Sequence, residues 1–277
     1  MRPASPSHKA RLSAAVLALA AATPAGATSA AAADLAAKAV VAPAPMPVAT
    51  ADTPTFLFTG YLWASAMSGQ VGTLPPLPPV NVDMSFGDIL KQFDGGIMGA
   101  GEMRVGRWGF LADVMFLQVS PSATLPGPYA GNLELRSRSL TLQGNVLYRL
   151  YEAEGASVDV GAGLRYWLLG NRLSFDNASP LPGFSYSETE GWVDPLLVGR
   201  FTAPLGGAWS LTVVGDIGGF DVGSHLTYQA IGTVNYQWSK QLALRAGYRY
   251  LSVDYTSGKF LYDVELQGPV IGATYRF

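Results

Sequence analysis

GPVIGATYRF, residues 268–277, ends the chain on a bare aromatic residue after a strict two-residue alternation. Counting back from Phe277, one face carries Tyr275, Ala273, Ile271 and Pro269, and the other Arg276, Thr274, Gly272 and Val270. Successive side chains of a strand point to opposite faces, so this is a strand with one apolar and one mixed face. In this sequence nothing follows Phe277 to cover the apolar face. The expectation is that something other than water covers it.

Composition points the same way. Of 277 residues, 49% are hydrophobic and only 14% charged, against roughly 25% charged in an ordinary soluble domain. Beyond the first residues, no apolar run reaches the roughly 18 residues that a spanning helix needs. Apolar residues scattered singly, with 32 glycines and 13 tyrosines, fit a membrane protein built from strands. The net charge of −2 supplies no basic stripe to replace counterions on phosphates, which argues against a nucleic-acid partner. With no cysteine in the chain, disulfide frameworks and thiolate metal sites are excluded.

The start of the chain reads as a targeting segment. Arg2, Lys9 and Arg11 precede the apolar run LSAAVLALAAA, and small residues follow as far as Ala33. A basic, then apolar, then small pattern is that of a secretory signal over 1–33, with cleavage expected first between Ala33 and Asp34 and second after Ala25-Gly26-Ala27. Residues 34–54, rich in alanine and proline, read as a semi-extended linker ahead of a domain over 55–277.

From residue 55 onward, amphipathic strands recur at 55–67, 95–106, 108–120, 134–151, 156–176, 185–203, 208–221, 225–239, 241–256 and 260–277. Each is long enough to cross a bilayer at a tilt, which takes roughly 9–11 residues. Tight links at Gly106-Arg107, EAEG, PLGG and Ser239-Lys240 alternate with longer ones. That alternation is expected of a barrel with one rim in the periplasm and one outside. Each strand keeps its charges on one face: Leu142, Val146 and Tyr148 oppose Gln143, Asn145 and Arg149, and Leu242, Leu244 and Tyr248 oppose Arg245 and Arg249. The fold expected is therefore all-β, an antiparallel transmembrane β-barrel of about ten strands, with eight as the alternative. Tyr148, Phe201, Trp209, Tyr236, Trp238 and Tyr275 lie near strand ends and suit an interfacial girdle on the periplasmic side.

The terminal VIGATYRF and the amphipathic strands before it resemble small Gram-negative outer-membrane β-barrel proteins of the OmpA-like transmembrane superfamily. The likeness spans residues 55–277, and only the terminal motif matches in letters. It implies location in the outer membrane with both termini periplasmic, contact with outer-membrane lipids, and recognition of Tyr275 and Phe277 by the barrel-assembly machinery. Two departures stand out: about ten strands where common members have about eight, and no peptidoglycan-binding domain after the barrel.

In such a barrel, parity turns Glu102, Arg104, Asp113, Arg149, Asp159, Arg165, Asp194, Arg200, Asp216, Arg245 and Arg249 inward. Opposite charges confined together are expected to pair, because a lone buried charge is costly. A small barrel is filled by its own side chains, whereas open porins have about 16–18 strands. The expectation is a plugged lumen and an envelope-structural or surface-interaction role, with a narrow porin-like channel as the first alternative. An outer-membrane enzyme of the protease or lipid-modifying type is the second. For it the sequence offers Asp221, Ser224 and His225, without the acidic pair or third orienting group that activating water or a nucleophile requires. No enzymatic activity, cofactor or metal site is expected; Asp83, Asp88 and Asp94 do not follow a calcium-loop spacing.

The links over 68–94 and 121–132 are the expected surface contacts. The first holds the stiff proline run TLPPLPPV and then MSFGDILKQFD, where Ser85 caps a short helix with Asp88 three residues on and Met84 against Ile89. Ile89, Leu90 and Phe93 are expected to share one face of it.

Overall fold

The computed structural model describes residues 53–74, 78–125, 131–177 and 183–277. The signal segment 1–33 and nearly all of the linker 34–54 lie outside the described residues. The elements in chain order are β1 (Thr55–Trp63), β2 (Ala66–Gly72), β3 (Val80–Met84), α1 (Phe86–Lys91), β4 (Phe93–Val105), β5 (Trp108–Val119), β6 (Ser122–Leu125), β7 (Gly131–Ala153), β8 (Ala156–Asn177), β9 (Phe184–Gly206), β10 (Trp209–Gly219), β11 (Leu226–Gln237), β12 (Leu242–Ser257) and β13 (Phe260–Arg276).

Hydrogen bonding runs β1-β4-β5-β7-β8-β9-β10-β11-β12-β13 and returns to β1, where Leu57–Trp63 pairs with Arg276–Val270. All pairings are antiparallel, so the wall is a closed ring of ten strands rather than eight. The seam is bonded to its last residue, since Phe277 N donates to Phe56 O at 2.9 Å. Closure leaves the ring without an edge, the condition for strands to sit in hydrocarbon, where each unpaired backbone group costs several kcal/mol.

Four tight turns share one end of the cylinder with Thr55 and Phe277. Gly106, Glu154, Gly155, Gly206 and Gly207 take positive φ there. Positive φ at both central residues, as at Glu154-Gly155, matches the right-handed twist of the flanking strands. This end is called the lower rim here, and the opposite end the upper rim.

The first long connection differs from a loop. After a break at Ala64, whose N–H donates to Pro269 O at 2.9 Å, β2 continues the line of β1 up β13, and β3 pairs with the free side of β2. Segment 68–94 is therefore mostly strand and helix. Only its glycine chemistry allows this pairing: a Cβ on Gly69, at φ 140°, would collide with the Asp263 carbonyl of β13. In 121–132, β6 pairs with the upper part of β7, and residues 126–130 lie outside the described residues. The helix α1 begins as expected, with Ser85 Oγ accepting from Asp88 N at 3.3 Å. Its apolar residues divide, however: Ile89 lines a lumen cavity, while Leu90 and Phe93 are exposed.

The outer surface carries the apolar belt. On β8 every outward position from Val158 through Val160, Ala162, Leu164 and Tyr166 to Leu168 is apolar or tyrosine. Ten residue steps of about 3.3 Å at a tilt of about 40° give a height of roughly 25 Å, that of an outer-membrane apolar band. At its lower margin the aromatic residues pair, two of the pairs across neighbouring strands and the third at the end of β13. Trp108 meets Tyr148 edge-on at 4.9 Å, Trp209 meets Tyr236 at 4.8 Å, and Tyr275 meets Phe277 at 4.9 Å.

Candidate functional site

The distinctive chemistry lies inside the cylinder, in three tiers. The lowest is ionic. Asp159, with no exposed side-chain surface, stands opposite Arg149 on one neighbouring strand and Arg200 on the other. It accepts from Arg149 Nε at 2.9 Å, Arg200 Nε at 2.8 Å and Arg104 Nη2 at 3.1 Å. Glu102 takes the remaining faces of two of these guanidinium groups, from Arg200 Nη1 at 2.6 Å and Arg104 Nη2 at 3.0 Å. Three arginines thus share two carboxylates. Arg245 of β12 makes no hydrogen bond to either carboxylate, and its buried Nε has no partner among the described residues.

The middle tier is a septum of bidentate and amide bonds. Arg165, fully buried, donates from Nη2 to both oxygens of Asp216 at 2.7 and 2.9 Å, to Gln143 Oε1 at 2.8 Å, and from Nη1 to Thr227 Oγ1 at 3.1 Å. Gln143 and Gln229 each donate an amide N–H to Asp216 Oδ2, at 3.2 and 2.8 Å. The chain of bonds continues from Arg249 Nε to Gln229 Oε1 at 2.8 Å, from Arg249 Nη1 to Tyr61 Oη at 3.0 Å, and from Tyr61 Oη to Asp113 at 2.9 Å. Almost every polar atom here has a partner, the condition under which buried charge is tolerated.

The upper tier is apolar and aromatic. Trp192 stacks on Tyr255 at 3.8 Å and on Trp167 at 5.7 Å, and Phe260, Tyr262, Leu251, Val253 and Val264 fill the space around them. The polar ends of the indoles converge on one carboxylate and one hydroxyl. Asp194 accepts from Trp167 Nε1 and Ser224 Oγ, both at 2.9 Å, and Ser224 Oγ accepts from Trp192 Nε1 at 2.9 Å. The turn after β10 is drawn inward to reach this point. Gly219, Phe220 and Asp221 take positive φ in it, and Ser224 ends fully buried.

Two cavities flank the septum and share no lining residue. The lower, about 480 Å³, runs from Thr55, Gln237 and Arg276 at the rim up to Gln143 and Arg249. The upper, about 150 Å³, is lined by Trp63, Met98, Met115, Trp167 and Tyr262, with Ile89 of α1 above.

Ten of the eleven parity-assigned charges therefore fall into three separate groups, and Arg245 joins none of them. Glu102, Arg104, Arg149, Asp159 and Arg200 form one, Asp113, Arg165, Asp216 and Arg249 the second, and Asp194 bonds to tryptophan and serine with no arginine. Gln143, Gln229, Tyr61 and Thr227 complete the septum but carry no charge to flag them in the sequence. Trp167 and Trp192 share inward parity with Arg165 and Asp194, and continuing that parity upward would have found them.

Ser224 and His225 face different surroundings. Ser224 is spent on Asp194, whereas His225 is exposed at the upper rim with Nδ1 2.7 Å from Asp221 Oδ1. The bond to Asp221, assisted by the charge of Asp254, raises the imidazole above its ordinary value of 6.5. A raised folded-state value means that the pair's contribution is complete below the unfolded value and fades as pH climbs through the folded one. An NMR titration of the imidazole is expected to give a midpoint above 6.5, moving back toward it in Asp221→Asn. An unchanged midpoint in that variant would remove Asp221 as the cause.

No protein-family model and no curated protein matches the chain. Among solved structures it is similar to the translocator domain of the autotransporter NalP from Neisseria meningitidis, at 14% identity over 81% of this chain and 89% of that one, with a TM-score of 0.39. It is also similar to Neisserial surface protein A, at 13% identity over 81% and 99% with a TM-score of 0.31. A third is a FadL homologue of Pseudomonas aeruginosa, at 9% identity over 80% and 88% with a TM-score of 0.30. Likeness at this level carries no functional argument, and the fold rests on the closed hydrogen-bonded ring.

Proposed function

We propose that the chain is an outer-membrane barrel of the OmpA-like kind, with periplasmic termini and a lumen that does not conduct. Its role is envelope-structural or surface-interacting rather than catalytic. The observation that carries this reading is the septum: a fully buried Arg165 locked to Asp216, Gln143 and Thr227, roofed by the Trp167–Trp192–Tyr255 stack. Ions crossing the lumen would have to break charge-assisted bonds between buried side chains.

The apolar belt and its lower aromatic margin support lipid on all sides. The edge-on pair Tyr275–Phe277, facing outward at the lower rim, suits recognition by the assembly machinery. Contact with a surface partner falls to the β2–α1 segment, where Val80, Phe86 and Leu90 are exposed beyond the belt, and to 121–132.

A planar bilayer containing the purified barrel is expected to show no discrete openings. The narrow-channel reading draws support from the 480 Å³ cavity, which runs from the lower rim to Gln143 and Arg249 of the septum and carries Arg245 on its wall. Stepwise currents whose anion preference falls in Arg245→Ala or Arg249→Ala would install that reading instead.

A further inference from the structure

We propose that the outer face of β7 and β8 binds the phosphorylated headgroup of an outer-leaflet lipid. This rests on the outer-membrane reading above. Leu140 and Leu168 are directly opposite each other at the top of the apolar belt, with Phe116 beside Leu140. One outward step higher lie Arg138 and Gly170, and one step above those Arg136 and Arg172, again directly opposite. Two like charges in that relation repel, so the pair is unfavourable by itself.

The carboxylates nearby act on Arg136 and leave Arg138 and Arg172 without a carboxylate among the described residues. Glu134 lies 3.2 Å from Arg136 Nη2 on the solvent side. Asp94 accepts from Ser120 Oγ at 2.5 Å and Gln118 Nε2 at 3.0 Å. Arg138 donates from Nε to Gln118 Oε1 at 3.0 Å, a bond that leaves both of its Nη groups. Arg172 is exposed and has no carboxylate partner among the described residues.

Between these side chains runs a groove of about 390 Å³. Its lower wall is Phe116, Leu140 and Leu168, its upper walls are the three arginines, and Ser187 and Thr189 of β9 close one side. Gly170 forms the floor, with Thr189 Oγ1 its nearest side-chain neighbour. Guanidinium forks with hydroxyls over an apolar wall match a phosphomonoester joined to acyl chains. The height matches too: two residue steps at about 3.3 Å and about 40° tilt put Arg138 about 5 Å above the belt, at headgroup level.

The test uses the full chain folded in detergent micelles, titrated with diphosphoryl lipid A, with bound lipid counted by native mass spectrometry. Wild type is expected to retain the lipid, and Arg136→Gln/Arg138→Gln/Arg172→Gln to lose at least about tenfold in affinity, the weight of one charge-assisted bond. Equal retention by the two proteins, or equal retention of dephosphorylated lipid A, would overturn the proposal. Displacement by millimolar inorganic phosphate would also overturn it, because it would mark a site for the free ion. Should the triple variant not fold, Arg172→Gln against Arg172→Lys decides: loss with Gln and retention with Lys supports the site, and no difference overturns it. Failure of the outer-membrane reading registers separately, as wild-type protein that stays dispersed without detergent.

Discussion

Arg165→Ala is expected to destabilise the folded barrel by about 3–5 kcal/mol, the usual result of leaving one member of a buried ion pair alone. Asp216 would then keep only the amide N–H groups of Gln143 and Gln229 for a full negative charge on a buried side chain. Urea unfolding in lipid vesicles, followed by tryptophan fluorescence, measures the loss. The double change Arg165→Met/Asp216→Leu removes both charges and is expected to recover most of the stability, since apolar packing often equals a buried pair. A single Arg165→Ala variant as stable as wild type would mean that water reaches the septum.

The second large effect concerns the roof. Trp192 is 6% exposed, stacks on two aromatic rings and donates to Ser224, so Trp192→Ala is expected to cost about 3–5 kcal/mol through lost packing and the cavity left behind. Trp108→Ala, at a site half-exposed on the outer belt, is expected to cost clearly less in the same assay. The conductance outcome separates the tiers. Because the Arg165 septum lies below Trp192, the variant is expected to remain closed in a planar bilayer. Openings in Trp192→Ala alone would place the seal in the aromatic roof and not in the ionic layer.

Much of the cylinder was legible because its surroundings impose a period of two. Leu164 and Arg165 must face oppositely when one meets lipid and the other the lumen, and the same parity runs through Leu244 and Arg245. The ring of ten follows from those strands and from turns whose glycines announce them. What parity cannot supply is the chemistry of an apolar interior. Trp167, Leu251 and Val253 point inward as Arg165 and Arg249 do, yet by residue type they look lipid-facing. Tertiary closure, which brings Trp192 against Tyr255 across 62 intervening positions of chain, decides their role.

The strands inside the first connection were hidden for a related reason. The pairing of β2 with β13 depends on Gly69 passing close to the Asp263 carbonyl, a contact between positions far apart in the chain. The outward arginines of β7 and β8 correct the expectation that each strand keeps its charges on one face, because the parity that turns Arg149 and Arg165 inward turns Arg138 and Arg172 outward. Only the register between two strands reveals that Arg136 and Arg172 are opposite each other.

The seam between the first and last wall strands offers the most direct measurement. Thr59 and Thr274 are register partners with hydroxyls 2.8 Å apart, and the chain has no cysteine of its own. In lipid vesicles, oxidised Thr59→Cys/Thr274→Cys protein is expected to carry the 59–274 disulfide in nearly all folded molecules, with both thiols protected from alkylation. Two freely alkylated thiols in folded, membrane-embedded protein would mean an open sheet, and would contradict the closed cylinder on which the sealed lumen and the lipid-facing belt both depend.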